Sequence, residues 1–219
     1  MAKAKTKEEL VRELANKVRR GELTPEEAKA EVLKAGLHHR KYECMYLKIV
    51  ASCTVVGGLL CFLPFIANHT GWAALNYFTR LPAIEFPLVV KIAFSVFCIA
   101  LFAAGMYAMR LRTKKGGTRD EDEPIILIKE GPYAIIRHPN VLGFLALFSM
   151  FTVVASGTVP FTVFSVVGNV LFLTGFYYET RGEDKLNVIK WGDEYRRYMN
   201  EVPSFNLFLG IWRWARRKH

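Results

Sequence analysis

Long apolar blocks alternate with short, densely charged ones along this chain. Met45 to Ala67, Phe86 to Met109, Val141 to Ser156 and Val159 to Tyr178 carry almost no charge. About 20 apolar residues in a helix cross a bilayer core, at a rise of about 1.5 Å per residue. The blocks therefore predict about four transmembrane helices. Lys48 and Lys91 stand near span ends, where a long side chain reaches the headgroups. Gly157-Thr158 is so short a link that the last two spans must form an antiparallel hairpin, with Pro160 just inside the fourth. Between the first two spans, Trp72, Tyr77 and Phe78 suit the membrane interface.

Residues 1–43 follow another period. Leu10, Leu14 and Val18 recur every four residues, and Gly21 interrupts them. Thr24-Pro25-Glu26-Glu27 starts a second helix: a capping hydroxyl, a proline at the first position, then acids at the positive end of the dipole. Ala28, Val32 and Leu33 give it an apolar stripe, and Gly36 can end it. A helical hairpin is expected, either a solvated cap or a docking element. At the other end, the helical tail after Arg181 reaches Val202-Pro203. Phe205 to Trp214 followed by Arg216-Arg217-Lys218 then suits an amphipathic interfacial segment on anionic lipid.

Charge fixes the expected topology. The 219 residues carry a formal net charge of +10, and the basic residues flank the apolar blocks. Residues 1–43, the connector with Arg110, Arg112, Lys114, Lys115 and Arg119, and the tail are all basic; the loop at 68–83 has Arg80 alone. Four spans with both termini cytosolic satisfy every loop under the positive-inside rule. The connector also holds Gly116-Gly117 and the acidic run Asp120 to Glu123. Cys44, Cys53, Cys61 and Cys98 form no CxxC pair, so neither a metal site nor a redox motif is indicated, and they read as small apolar fillers. No nucleic-acid motif is present.

Chemistry concentrates in two stretches. Gly131-Pro132-Tyr133 makes a turn, and Arg137-His138-Pro139 places a cation and an imidazole where the third span begins. Such a corner suits a carboxylate, a phosphate or simply a lipid headgroup. Gly143, one turn further in, would let a flat ligand approach the backbone. Glu179 and Glu183 lie one helical turn apart at the end of the fourth span, with Asp184 beside the latter. The hairpin brings that end beside Arg137 and His138. Carboxylates and arginines together could hold both ends of a zwitterion, or form a salt-bridge cluster without a ligand.

Gly131-Pro132-Tyr133, Arg137-His138-Pro139 with Gly143, the acids about forty residues on, and Trp191 to Tyr198 followed by Val202-Pro203 resemble the isoprenylcysteine carboxyl methyltransferase family. That family is related to the phospholipid N-methyltransferases. The resemblance covers roughly residues 105–205. It implies an integral membrane enzyme with S-adenosylmethionine as methyl donor and a lipophilic acceptor, a prenylcysteine carboxylate or a lipid headgroup. By match, Gly131, Pro132, Tyr133, Arg137, His138, Pro139, Gly143, Glu183 and Asp184 would contact the cofactor. Arg137, His138, Glu183 and Glu179 would form the catalytic group, and Arg196 and Arg197 would serve the substrate. Residues 1–43, 44–109 and 110–219 would then be a hairpin, the first two spans, and a cofactor-binding part with the last two spans. Two positions depart from the family motif: Val141 stands where it usually has Tyr, and residue 140 is Asn; Asp184 also stands where the second acid is usually Glu. Arg137-His138-Pro139-Asn140 also reads like the motif of NADPH-dependent membrane sterol reductases. Their additional spans are missing, and Phe144 replaces their usual acid. A non-enzymatic membrane scaffold is the third reading.

Overall fold

The computed structural model describes residues 7–35, 41–115 and 126–217. Gly36, Gly116-Gly117, Arg119 and the acidic run at 120–123 lie outside them, as does the Cys44 side chain. The described residues are all-helical, with one isolated antiparallel bridge, Ile84 to Phe161. The α-helices are α1 (Lys7–Arg19), α2 (Pro25–Ala35), α3 (Lys41–Thr70), α4 (Asn76–Thr79), α5 (Leu88–Lys115), α6 (Pro139–Val154), α7 (Val163–Trp191), α8 (Asp193–Glu201) and α9 (Leu207–Arg217).

Among the described residues three stretches are long and apolar enough to cross a membrane: Lys48–Thr70, Leu88–Lys115 and Pro139–Gly157. The fold is that of a multi-pass helical membrane protein. Only 11% of the most apolar stretch of α5 is buried by protein, and Val89, Val96 and Ile99 are exposed. In water that surface would drive aggregation; in a bilayer it meets acyl chains. α7 is as long as the others but is diluted by Asn169 and a polar C-terminal half, and it is not among the three.

The described chain separates into two compact units. The apolar unit is Cys44–Ala103 with Val141–Glu179. Small residues let its helices approach. A side chain at Gly57 would meet the Gly168 carbonyl oxygen at 2.7 Å, so α3 and α7 touch backbone to backbone. Gly143 of α6 is filled in the same way by α5: a Cβ there would lie 3.0 Å from Phe102 Cα and 3.1 Å from the Leu101 carbonyl. Phe148 and Phe172 stack at 3.9 Å. The α6–α7 link is wider than the two residues expected, and Pro160 stands outside the helix. Thr162 caps α7, accepting from Phe164 N–H at 3.2 Å, while its own N–H donates to Ser165 Oγ at 3.1 Å. That reciprocal cap starts the helix at Val163.

The polar unit is Met1–Glu43, Ala104–Asn140 and Thr180–His219. α1 and α2 pack on each other, and the Thr24–Glu27 capping box forms as expected: Thr24 N–H donates to Glu27 Oε2 at 2.8 Å and Glu27 N–H to Thr24 Oγ1 at 3.2 Å. These helices are not a solvated cap. Leu14, Ala15 and Ala28 share one core with Trp191, Tyr195, Tyr198 and Val202. Gly192, at φ 57°, separates α7 from α8 in a conformation that L-residues rarely adopt, and α8 turns its aromatic face inward.

Candidate functional site

The site lies wholly in the polar unit. α5 runs on past the expected span end to Lys115, which places Arg112 on a helix. The Gly131–Ala134 turn is a 3-10 helix with Pro132 at its start. It hands over to an extended stretch fixed by Arg137 N–H donating to the Pro203 carbonyl at 3.0 Å. Pro139 then opens α6. Glu183 and Asp184 are on α7, and Tyr195 and Tyr198 are one turn apart on α8.

These elements converge on His138, which is 4% exposed. Its Nε2 lies 3.0 Å from Asp184 Oδ1, and its Nδ1 lies 3.3 Å from Glu183 Oε2. Burial opposes charge on the ring. The hydrogen bonds to Asp184 and Glu183, together with their charges, outweigh it and raise His138 to about 9. At neutral pH it is an imidazolium donating from both nitrogens. Glu183 responds in the opposite sense. Burial raises it, but His138, then Arg112 and Lys190, hold it below the usual carboxylate range.

Arg137 completes the group. Its side chain is 8% exposed, its Nη2 lies 3.1 Å from Asp184 Oδ2, and it also donates to the Ser204 hydroxyl. Its Nε is buried without a hydrogen-bond partner. Buried polar atoms are almost always paired, so an orphaned guanidinium N–H is a place where an acceptor fits. Arg112 Nη1 stands 3.7 Å from Glu183 Oε1.

Tyr195 donates to Asp184 Oδ1 at 2.6 Å and accepts from Asn187 Nδ2 at 3.2 Å. Tyr198 donates to the Tyr133 carbonyl at 2.7 Å. Burial pushes all three tyrosines up, Tyr133 included, so their hydroxyls stay protonated. The cleft has a volume of about 50 Å³, with Arg112, Tyr133, Arg137, His138, Glu183 and Tyr195 in its wall. Pockets that enclose a whole ligand run to roughly 300–1,000 Å³. This one is several times smaller.

Of the predicted site residues, Tyr133, Arg137, His138, Glu183 and Asp184 come together here. Gly131, at φ 60°, and Pro132 shape the turn that carries Tyr133, and Pro139 starts the helix behind His138. Others do not join them. Gly143 belongs to the apolar unit, where the α5 backbone occupies the space a ligand would need. Glu179 precedes Glu183 by one helical turn on α7. Arg196 and Arg197 are exposed on α8, and Arg196 pairs with Asp193 at 2.7 Å. Sequence reasoning missed Arg112, Tyr195 and Asn187. The signal for Tyr195 was the amphipathic spacing of Tyr195, Tyr198 and Val202 after Gly192.

The apolar unit has a cavity of its own, about 450 Å³, between α5, α6 and α7. Phe97, Leu101, Leu145 and Phe172 help line it. Three polar side chains interrupt its wall as one cluster: Asn169 accepts from Ser149 Oγ at 2.9 Å and donates to Thr152 Oγ1 at 3.2 Å. Comparison with known protein families, with curated proteins and with solved structures finds no match for the chain.

Proposed function

We propose that the chain is an integral membrane methyltransferase that uses S-adenosylmethionine and acts on a lipophilic acceptor, as the isoprenylcysteine carboxyl methyltransferase resemblance implies. The observation that carries this reading is the buried Arg137 Nε without a partner, on an arginine that pairs with Asp184 and lines the same cleft as the carboxylate of Glu183. Cation and acid side by side fit the amino-acid end of that cofactor, and the cleft volume matches that end alone.

In this reading Arg137 holds the cofactor carboxylate and Glu183 its ammonium. When bound, the cofactor supplies a methyl group on an electrophilic sulfonium. His138, with both nitrogens committed to carboxylates, holds Glu183 and Asp184 in place rather than accepting a proton. Asp184 is fixed from the other side by Tyr195. An acceptor carboxylate needs no general base, only alignment and exclusion of water. An amine acceptor would need a base as well.

The expected topology of four spans, α7 included, with cytosolic termini places the site on the side from which a water-soluble cofactor arrives. The test is transfer of labelled methyl from S-adenosylmethionine by the purified full-length protein into a prenylcysteine or a lipid extract. Label in the organic phase, lost in Arg137→Ala, supports the reading; no transfer to either acceptor sinks it.

A further inference from the structure

α9 has two different faces. One is docked on the polar unit. Gly210 lies against Ile135 so closely that a Cβ would fall 2.2 Å from its carbonyl oxygen. Arg213 Nη1 donates to the Asn200 carbonyl at 2.7 Å, and Arg217 Nη2 to the Ala134 carbonyl at 2.6 Å. The other face is open: Phe208, Ile211, Trp212 and Ala215 are all exposed, Phe208 by 83%. These four stand at i, i+3, i+4 and i+7, one unbroken apolar stripe of a helix. Leu207–Arg217 contains three arginines and no acid.

We infer that α9 lies in the plane of the membrane interface, its stripe seated among the acyl chains of an anionic lipid surface, and that this seating bears on the Ala134–Ile135 turn of the site. The composition selects lipid over protein. Arg216 lies 4.0 Å over the Trp212 ring, an amphipathic pair suited to headgroup depth. Arg216, exposed beside Trp212 while Arg213 and Arg217 bond back to the protein, matches an anionic surface. A helix apolar on one side, basic, and free of acids is the pattern of an in-plane anchor. The bearing on the site follows from Gly210 and Arg217. They grip Ile135 and Ala134, and Arg137 and His138 follow directly. A displacement of α9 is therefore carried into the segment that sets the Arg137 and His138 positions. The inference does not depend on which cofactor the site takes.

The test uses the full-length protein in vesicles of phosphatidylcholine, with and without phosphatidylglycerol. Lipids brominated near the headgroup end of the acyl chain should quench the tryptophan emission that Trp212→Phe removes, more strongly with phosphatidylglycerol. Phe208→Ser/Ile211→Ser should abolish that quenching while leaving the melting temperature in detergent unchanged. In the same vesicles the amides of 131–138 should exchange hydrogen more slowly in the wild type than in the double variant. Trp212 emission indifferent to brominated lipid would overturn the anchor. So would a dimer in detergent that the double variant dissociates, because the stripe then covers a second copy. Quenching with identical exchange at 131–138 would overturn the link to the site.

Discussion

Tyr195 and His138 share one carboxylate oxygen: the tyrosine hydroxyl donates to Asp184 Oδ1 at 2.6 Å, and His138 Nε2 faces the same atom at 3.0 Å. Asp184 is 2% exposed, so these donors replace its water. Removing the hydroxyl should cost about 1.5–3 kcal/mol, the range for a hydrogen bond to a charged group. Tyr195→Phe is expected to lower the melting temperature of the purified protein in detergent. An unchanged value would mean that the bond contributes nothing to stability.

His138 predicts a pH dependence. Its folded value is raised from 6.5 to about 9, so the stability it contributes is complete below about 6.5 and is lost as pH rises through about 9. Glu183 is depressed, so its contribution is present above its ordinary value of 4.5 and fades as pH falls below it. The melting temperature should be highest between these limits and decline toward alkaline pH. His138→Gln should remove the alkaline decline. It should also cost roughly 3–5 kcal/mol, because the buried Asp184 loses a buried cationic partner. A decline retained in His138→Gln would assign it to another group.

Gly192 turns α7 into α8 at a positive φ, and a side chain there is strained. Gly192→Ala should destabilise by about 1–3 kcal/mol. The effect should appear both in the melting temperature and as faster amide exchange in α8, since the turn is what brings Tyr195 to Asp184. Destabilisation without a change in α8 would place the strain elsewhere.

Leu14 is 1% exposed and packs in the core that holds Trp191, Tyr195 and Tyr198. Leu14→Ala should cost about 2–5 kcal/mol as a buried large-to-small change. If the N-terminal helices brace the site, the tryptophan emission contributed by Trp191 should shift as well. A normal melting temperature would show that α1 is dispensable.

The membrane character was legible because it is written in local runs of residues. α3, α5 and α6 follow from uninterrupted apolar blocks, and the Thr24–Glu27 cap follows from four adjacent residues. Arg137, His138 and Glu183 were legible as a group because a hairpin between consecutive helices restricts which ends can meet. The start of α7 was not. Thr162 and Ser165 form a cap that outweighs the apolar character of Val159 and Phe161. Nor was the packing of α1 on α7 and α8. Leu14 and Tyr195 are far apart in the chain, and an amphipathic stripe does not name its partner. Gly143 shows the same limit: a small residue on a helix admits a ligand or another backbone equally, and here α5 takes the space.

The most direct test of the account is the thermal stability of the full-length protein with S-adenosylhomocysteine and, separately, with NADPH. A ligand that prefers the native state raises its melting temperature in proportion to the logarithm of its excess over Kd. The account predicts a rise with S-adenosylhomocysteine that is lost in Arg137→Ala and Glu183→Gln, and none with NADPH. A rise with NADPH alone, or with neither, would contradict it.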